Sequence, residues 1–435
     1  MESRSGDAGG DPDGGAVIPP ALHDPEDPFQ ARPDAGGPPD VGATVLPGLD
    51  ASSPGADAAA PGPDAASPCP PLAGRLTVAA LELAPTAVSV GSGYGWAAND
   101  MVIAQPLSNG RLRVAWSDGA AIHLTPLDAG LARAGADLTV AGQKLRGFVA
   151  HEDGRAAVVL VRADAVLLVG FDAAGAKQFE TVVVGPGDPT LAGSKWVDSW
   201  GDQARLVWDG ARYALYLGHT QFWGPQGKHQ GDLLRLYGAD GTLASGMWEW
   251  GCSHSLDLRL VADGATLYPV CLSDCYPEKA ILLNHYTKLR DEPTGACNGY
   301  SNATLGGLAA DPGKGAALTF VSDEGRQGHD VGFVAFDASG TKKASRWLTD
   351  TPGVEESSAH LARYGGDFLA AWSVAGQGAL QLAVVKADGT LADGPVGVTA
   401  AIAPKDDFQT APGGDVTWAW GEGTQLRIAR VRSCR

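Results

Sequence analysis

The chain has 435 residues, with 50 Asp and Glu against 32 Lys and Arg, a net charge of −18, and 60 glycines and 29 prolines. So acidic a balance excludes a nucleic-acid partner or an anionic membrane surface, each of which demands a basic face. No apolar run is long enough to span a membrane, and none has the make-up of a signal-peptide core.

Residues 1–72 hold 12 Asp and Glu, two Arg and 15 of the 29 prolines. A stretch with so little apolar mass does not offset its own ordering entropy. A disordered acidic tether is expected there, reaching on the order of 45 Å as a flexible coil. From about Arg75 the texture changes to short alternating apolar runs, the mark of half-buried strands, broken by glycine turns. Helical periodicity is almost absent.

The runs repeat. A turn glycine stands before a strand at Gly110, Gly154, Gly210, Gly264, Gly313, Gly366 and Gly414, at intervals of 44 to 56 residues. The strands that follow read RLRVAWSDG, RAAVVLVRAD, RYALYLGH, TLYPVCLSD, AALTFVSDE, FLAAWSV and VTWAWGEG. A third strand then ends in a second glycine turn, as in GFDAAGA, LYGADGT, AFDASGT and VKADGT. Seven four-strand units of this length resemble a seven-bladed β-propeller over about 73–435, an all-β ring that leaves only short, protected sheet edges. No particular family is indicated. The WD dipeptide and the sialidase-type Asp box are missing, and YGGD and PGGD are only faintly similar to kelch glycine pairs.

The resemblance implies how the ring closes. The last unit stops after TQLRIARVRSC, one strand short, while RLTVAALELA (75–84) precedes the first unit as a spare. Propellers commonly take a missing outer strand from the other terminus. Cys69 and Cys434 flank these two strands, so a disulfide between them is expected to staple the ring. Cys252, Cys271, Cys275 and Cys297 crowd the fourth blade and allow three pairings, among which the sequence does not choose.

Six cysteines of this kind read as a disulfide set, hence an extracellular, periplasmic or cell-surface location. The expectation is a mature or shortened form of an exported protein. In composition the acidic stretch resembles the tethers that follow the lipidated cysteine of bacterial surface lipoproteins, although no lipobox is present.

Within a propeller blade, second-to-third-strand loops share a face with the blade-to-blade connections. That face receives the long, chemically loaded segments, and binding residues concentrate on such loops. GHTQFWGPQGKHQGD (218–232) brings His219, Gln221, Trp223, His229 and Asp232. The preceding connection brings Trp196, Asp198 and Trp200, WEWGCSHSLD brings His254, LSDCYPE brings Asp274, and SDEGRQGHD brings His329. A ligand site is expected here, over blades three to five. Glu355, Glu356 and His360 are placed on the same rim.

His219, His229 and His254 come from neighbouring loops and are the candidate metal ligands, with Asp274 or Asp232 completing the set. The metal in question would be zinc, copper or calcium. No HExxH, CxxC pair or EF-hand spacing supports it. There is no GxSxG elbow either. GSGYG at 91–95 opens no helix, which removes a phosphate cradle. Plainer readings apply elsewhere: Trp116, Trp372 and Trp420 recur at one strand end, as blade packing does, and the recurring acids Asp118, Asp323 and Glu422 suit turn amides.

The expectation is therefore a monomeric binding protein that holds an extracellular glycan or peptide. Tryptophans would stack on apolar ligand faces while Asp, Gln and His fix orientation. The competing readings are a metal-dependent hydrolase or lyase on the same face and a purely structural surface protein.

Overall fold

A computed structural model describes residues 69–434 apart from 91–100, 164, 186–194, 197–202, 223–227, 253–256, 274–277 and 292–302. The side chains of Lys195, Trp196 and Lys228 are likewise outside the description. The expected tether falls outside it too, except at its end. There Leu72 opens a short 3-10 turn, Leu72–Arg75, and is buried against blades six and seven, so the folded unit starts before 73.

The chain forms seven four-stranded antiparallel sheets, spanning 103–141, 144–184, 195–248, 257–291, 304–347, 356–398 and, for the last, 409–431 together with 76–82. This is a seven-bladed β-propeller. Strand order within each of the first six blades follows sequence order from the axis outward. In blade three, Lys195–Trp196 adds a short extra pairing along the inner edge.

Blade seven takes its outermost strand from the N-terminal side. Leu76–Glu82 pairs antiparallel with Gln425–Val431, Leu76 opposite Val431 and Glu82 opposite Gln425. The Cys69–Cys434 disulfide lies just beyond this ladder. Its partners are 365 positions apart in sequence, so the bond staples the ring as expected.

The turn glycines have a backbone reason. Gly110, Gly154, Gly210, Gly264, Gly313 and Gly414 all sit at positive φ between the first and second strands, where a Cβ is disfavoured. In blade six that role falls to Gly365, the neighbour of the expected Gly366. The outer turns use a second device. The carboxylates of Asp128, Asp172, Asp240, Asp337 and Asp388 each accept from a backbone N–H two residues on.

Alternating side chains leave every blade with two apolar faces, and each interface between neighbouring blades holds its own buried cluster, seven in all. Trp116 and Trp372 belong to these clusters, with Trp420 packed partly buried against one, as the recurrence implied. At Asp118 the recurring acid does satisfy a turn: its Oδ1 accepts from Ala120 and Ala121 N–H at 2.8 and 2.7 Å.

Candidate functional site: a plugged axial cavity

The innermost strands pack side by side round the axis. Their positions are mostly apolar, yet one recurring place is not. Arg146, Arg259 and His360 stand four residues before their strand ends at Ala150, Asp263 and Tyr364, and Arg205 stands three before Trp208. All four are buried. In blade five the equivalent place is Gly307, where a Cβ would meet Leu361 N at 2.0 Å. The neighbouring backbone receives Arg259 instead, whose Nε donates to Gly306 O at 2.6 Å and Nη2 to Leu305 O at 3.0 Å.

The connection between blades six and seven dips into this ring. Lys405 Nζ lies 2.7 Å from Asp257 Oδ1, and Lys405 O accepts from Arg205 Nη2 at 2.6 Å. Asp407 bridges two guanidinium groups, at 2.5 Å from Arg205 Nε and 3.5 Å from Arg259 Nε. Asp406 Oδ2 accepts from Val102 N–H at 3.3 Å. Burial works against the charge on Asp257, but Lys405 and Arg259 outweigh it and hold its carboxyl below the usual range. Asp406 goes the other way: burial, reinforced by the Asp407 charge, pushes its carboxyl well above the usual range. His360 stacks on Phe408 at 5.3 Å, and burial beside Arg259 drives its imidazole down to about 3.

This ionic network is a plug. Below it the channel continues as a cavity of about 500 Å³, walled by Phe148, Leu206, Trp208, Leu260 and Leu308, with Arg205, Arg259 and Asp407 at its closed end. The other end lies at the first-to-second-strand turns, among Gln105, His151, Pro312, Arg363 and Thr410. Trp208 stands edge-on to His151 at 5.0 Å, and His151 Nε2 is 2.9 Å from Tyr213 Oη. Burial holds the His151 imidazole below its ordinary value, so it is neutral at pH 7. Arg363 is fixed by Asp311 at 3.3 Å and by Asp367 O at 3.1 Å. The volume is that of a small-molecule pocket, and the make-up is the usual one, apolar walls with a few fixed polar groups.

The sequence-predicted residues lie toward the opposite end of the blades. The stretch 218–232 is mostly ladder: Tyr213–Phe222 and Lys228–Tyr237 are ten-residue strands, with only 223–227 between them. His219 pairs with Gly231 and Gln221 with His229, so the pleat puts His219, Gln221 and His229 on one face. Trp250 covers that face at Gly231, where a Cβ would meet its ring at 2.7 Å, and stands edge-on to buried His219 at 5.4 Å.

Asp232, one residue beyond Gly231, points to the other face and so does not complete a set with these histidines. Its carboxylate is buried and accepts from Tyr216 Oη and Trp248 Nε1, each at 2.8 Å, and from Cys252 N–H at 3.2 Å. Burial raises its pKa to about 7 against those three donors. Among the described residues, one group of three ligand-type side chains converges, Asp232, Cys252 and Cys271. The two sulfurs are bonded to each other, which fixes Cys252–Cys271 among the pairings open to the four blade-four cysteines and removes both as thiolate ligands.

His329 sits apart, its Nδ1 2.6 Å from Glu355 Oε2 on the blade five to six connection. Asp198, Trp200, Trp223, His254, Asp274, Cys275 and Cys297 lie outside the described residues, as does the side chain of Trp196. Glu356 and His360 are not on the rim as expected; they belong to the innermost strand Glu356–Tyr364 and are buried. Sequence reading missed Arg205, Arg259, Arg363, Lys405 and Asp407. The available signal was a basic residue recurring inside apolar first strands, in KLRGFVA, ARLVW and DLRLVAD.

The fold and cavity define a propeller whose channel is sealed at one end by its own side chains. No protein-family model matches the chain, and no curated protein matches its sequence. Among solved structures, a streptogramin B lyase is similar at 13% identity and TM-score 0.44, covering 81% of this chain and 97% of that one. U3-55K aligns at 10% identity and TM-score 0.44, over 83% and 99%. An α-L-arabinanase of Penicillium chrysogenum aligns at 11% identity and TM-score 0.41, over 80% and 98%. Likenesses so distant, to proteins so different from one another, carry no functional argument.

Proposed function

We propose that the protein binds an extracellular glycan or peptide, and that the ligand seats in the axial cavity. The observation that carries this reading is the cavity itself, about 500 Å³ deep to a buried ionic plug. Trp208 offers an apolar face at its open half, while Gln105, His151, Arg363 and Thr410 offer polar contacts beside it. The two disulfides support an oxidising, extracytoplasmic location for this role.

A second site is favoured by one observation, the alignment of Gln221 and His229 on a single face of the long blade-three hairpin. The two sites lie at opposite ends of the blades, so one experiment separates them. Glycan and peptide arrays are probed with the wild type, Trp208→Ala, Arg363→Gln and a Gln221→Ala/His229→Ala double variant. Loss of signal in the first two variants alone supports the cavity. Loss in the double variant alone moves the ligand to the hairpin, and blank arrays with wild-type protein sink the binding reading.

A further inference from the structure

We infer that a ligand of this cavity carries an anionic group, a carboxylate or its equivalent, received by the arginines that line it. This rests on the cavity reading above and adds the chemistry of the ligand. The chain as a whole is strongly acidic, at −18, yet the charged residues lining the cavity are Arg205, Arg259 and Arg363 against Asp407 alone. Their described partners narrow the imbalance without removing it. Arg363 pairs with Asp311, and Arg259 and Lys405 both pair with Asp257.

That makes four cations, Arg205, Arg259, Arg363 and Lys405, facing three carboxylates, Asp257, Asp311 and Asp407. Asp406, the remaining acid of the plug, is outside the cavity lining and accepts from Val102 N–H, and burial works against its charged form. His151 at the open end is neutral and adds no charge. The lining thus sets three guanidinium groups against one carboxylate beside apolar walls, where water screens charge poorly and a counter-charge is felt strongly. An anion entering from the open end offsets this excess; a cationic group meets it as repulsion. Arg363 stands nearest the opening, and its planar guanidinium suits a carboxylate.

Two sources share this chemistry, an acidic saccharide and the free C-terminus of a peptide. Calorimetric titration of the full chain uses four probes: trigalacturonate, its methyl ester, acetyl-trialanine and acetyl-trialanine amide. The expected result is that one acid binds about tenfold more tightly than its neutral counterpart, and which acid it is identifies the source. Arg363→Gln is expected to shrink that ratio severalfold, and Arg363→Lys, which keeps the charge without the planar fork, to shrink it less. Equal affinity for acid and neutral forms overturns the inference and leaves the binding reading standing. So does a ratio untouched by Arg363→Gln. If none of the four binds, the inference is overturned, and only blank arrays take the broader reading with it.

Discussion

Lys405 Nζ and Asp257 Oδ1 are 2.7 Å apart across 148 positions of sequence, a buried ion pair that ties the blade six to seven connection to the innermost strand of blade four. Both groups are taken out of water, so the pair is costly to form, and breaking it leaves one charge stranded. Lys405→Met is expected to destabilise the fold by about 3 kcal/mol, toward the lower end for such a loss, because Arg259 still reaches Asp257 at 3.2 Å. Urea unfolding midpoints check this. High salt should leave the effect intact, since a buried pair is little screened. A loss that vanishes in salt would show the pair to be solvent-exposed.

His360 gives the protein an acid sensitivity. Its folded pKa is about 3, below the roughly 6.5 of an unfolded histidine. The folded state therefore lacks a proton that the unfolded chain binds within that window. Its contribution to stability is complete above pH 6.5 and is lost as pH falls, at about 1.4 kcal/mol per pH unit. His360→Phe keeps a ring for Phe408 and should remove this contribution. Stability measured by denaturant titration at half-unit steps from pH 4 to 7 tests it: the variant should gain on the wild type as pH falls, and a difference constant with pH would refute it.

Asp232 acts in the opposite sense. Its folded pKa of about 7 stands above the roughly 3.9 of an unfolded Asp. Here the folded state holds the extra proton, so the contribution is complete below about pH 4 and is lost as pH rises through 7. Between pH 4 and 6.5 the two contributions are expected to cancel. Asp232→Asn should therefore expose the His360 slope and His360→Phe the Asp232 slope. Two single variants with slopes of the same sign would contradict this opposition.

Repeat and ring were legible because they are written in short-range chemistry. Glycine at a positive-φ turn and Asp at an Asx turn need only their immediate neighbours, and both recur blade after blade. Closure was legible as well, from one strand missing at Val431 and one spare at Leu76. The cavity was not. Arg205, Arg259 and Lys405 matter because blades three, four and seven meet at the axis, a relation that no local window contains. Of their companions, Asp257 falls in sequence at the end of the loaded segment WEWGCSHSLD, on the face expected to bind, and no motif marks Asp407. Conversely, the length between His219 and His229 read as loop because polar and glycine residues interrupt the alternation, whereas it is paired backbone on a strand extended beyond its sister blades.

Ring closure offers the sharpest separation of one covalent bond from the sheet it guards. The ladder between Leu76–Glu82 and Gln425–Val431 has seven paired positions, so it stands without the disulfide once formed. What Cys69–Cys434 removes is the freedom of the unfolded chain, and with 365 positions enclosed its loss is expected to cost about 4 kcal/mol. A Cys69→Ser/Cys434→Ser variant should fold with the same ladder but open there first. In hydrogen exchange the amides of Leu76–Glu82 would lose protection, while those of blade four, braced by Cys252–Cys271, would follow only the global change. A Cys252→Ser/Cys271→Ser variant should invert the pattern, since Asp232 takes its Cys252 N–H bond in that blade interface. Equal loss of protection at both places in either variant would mean that the ring opens as one unit, and that neither bond guards a particular seam.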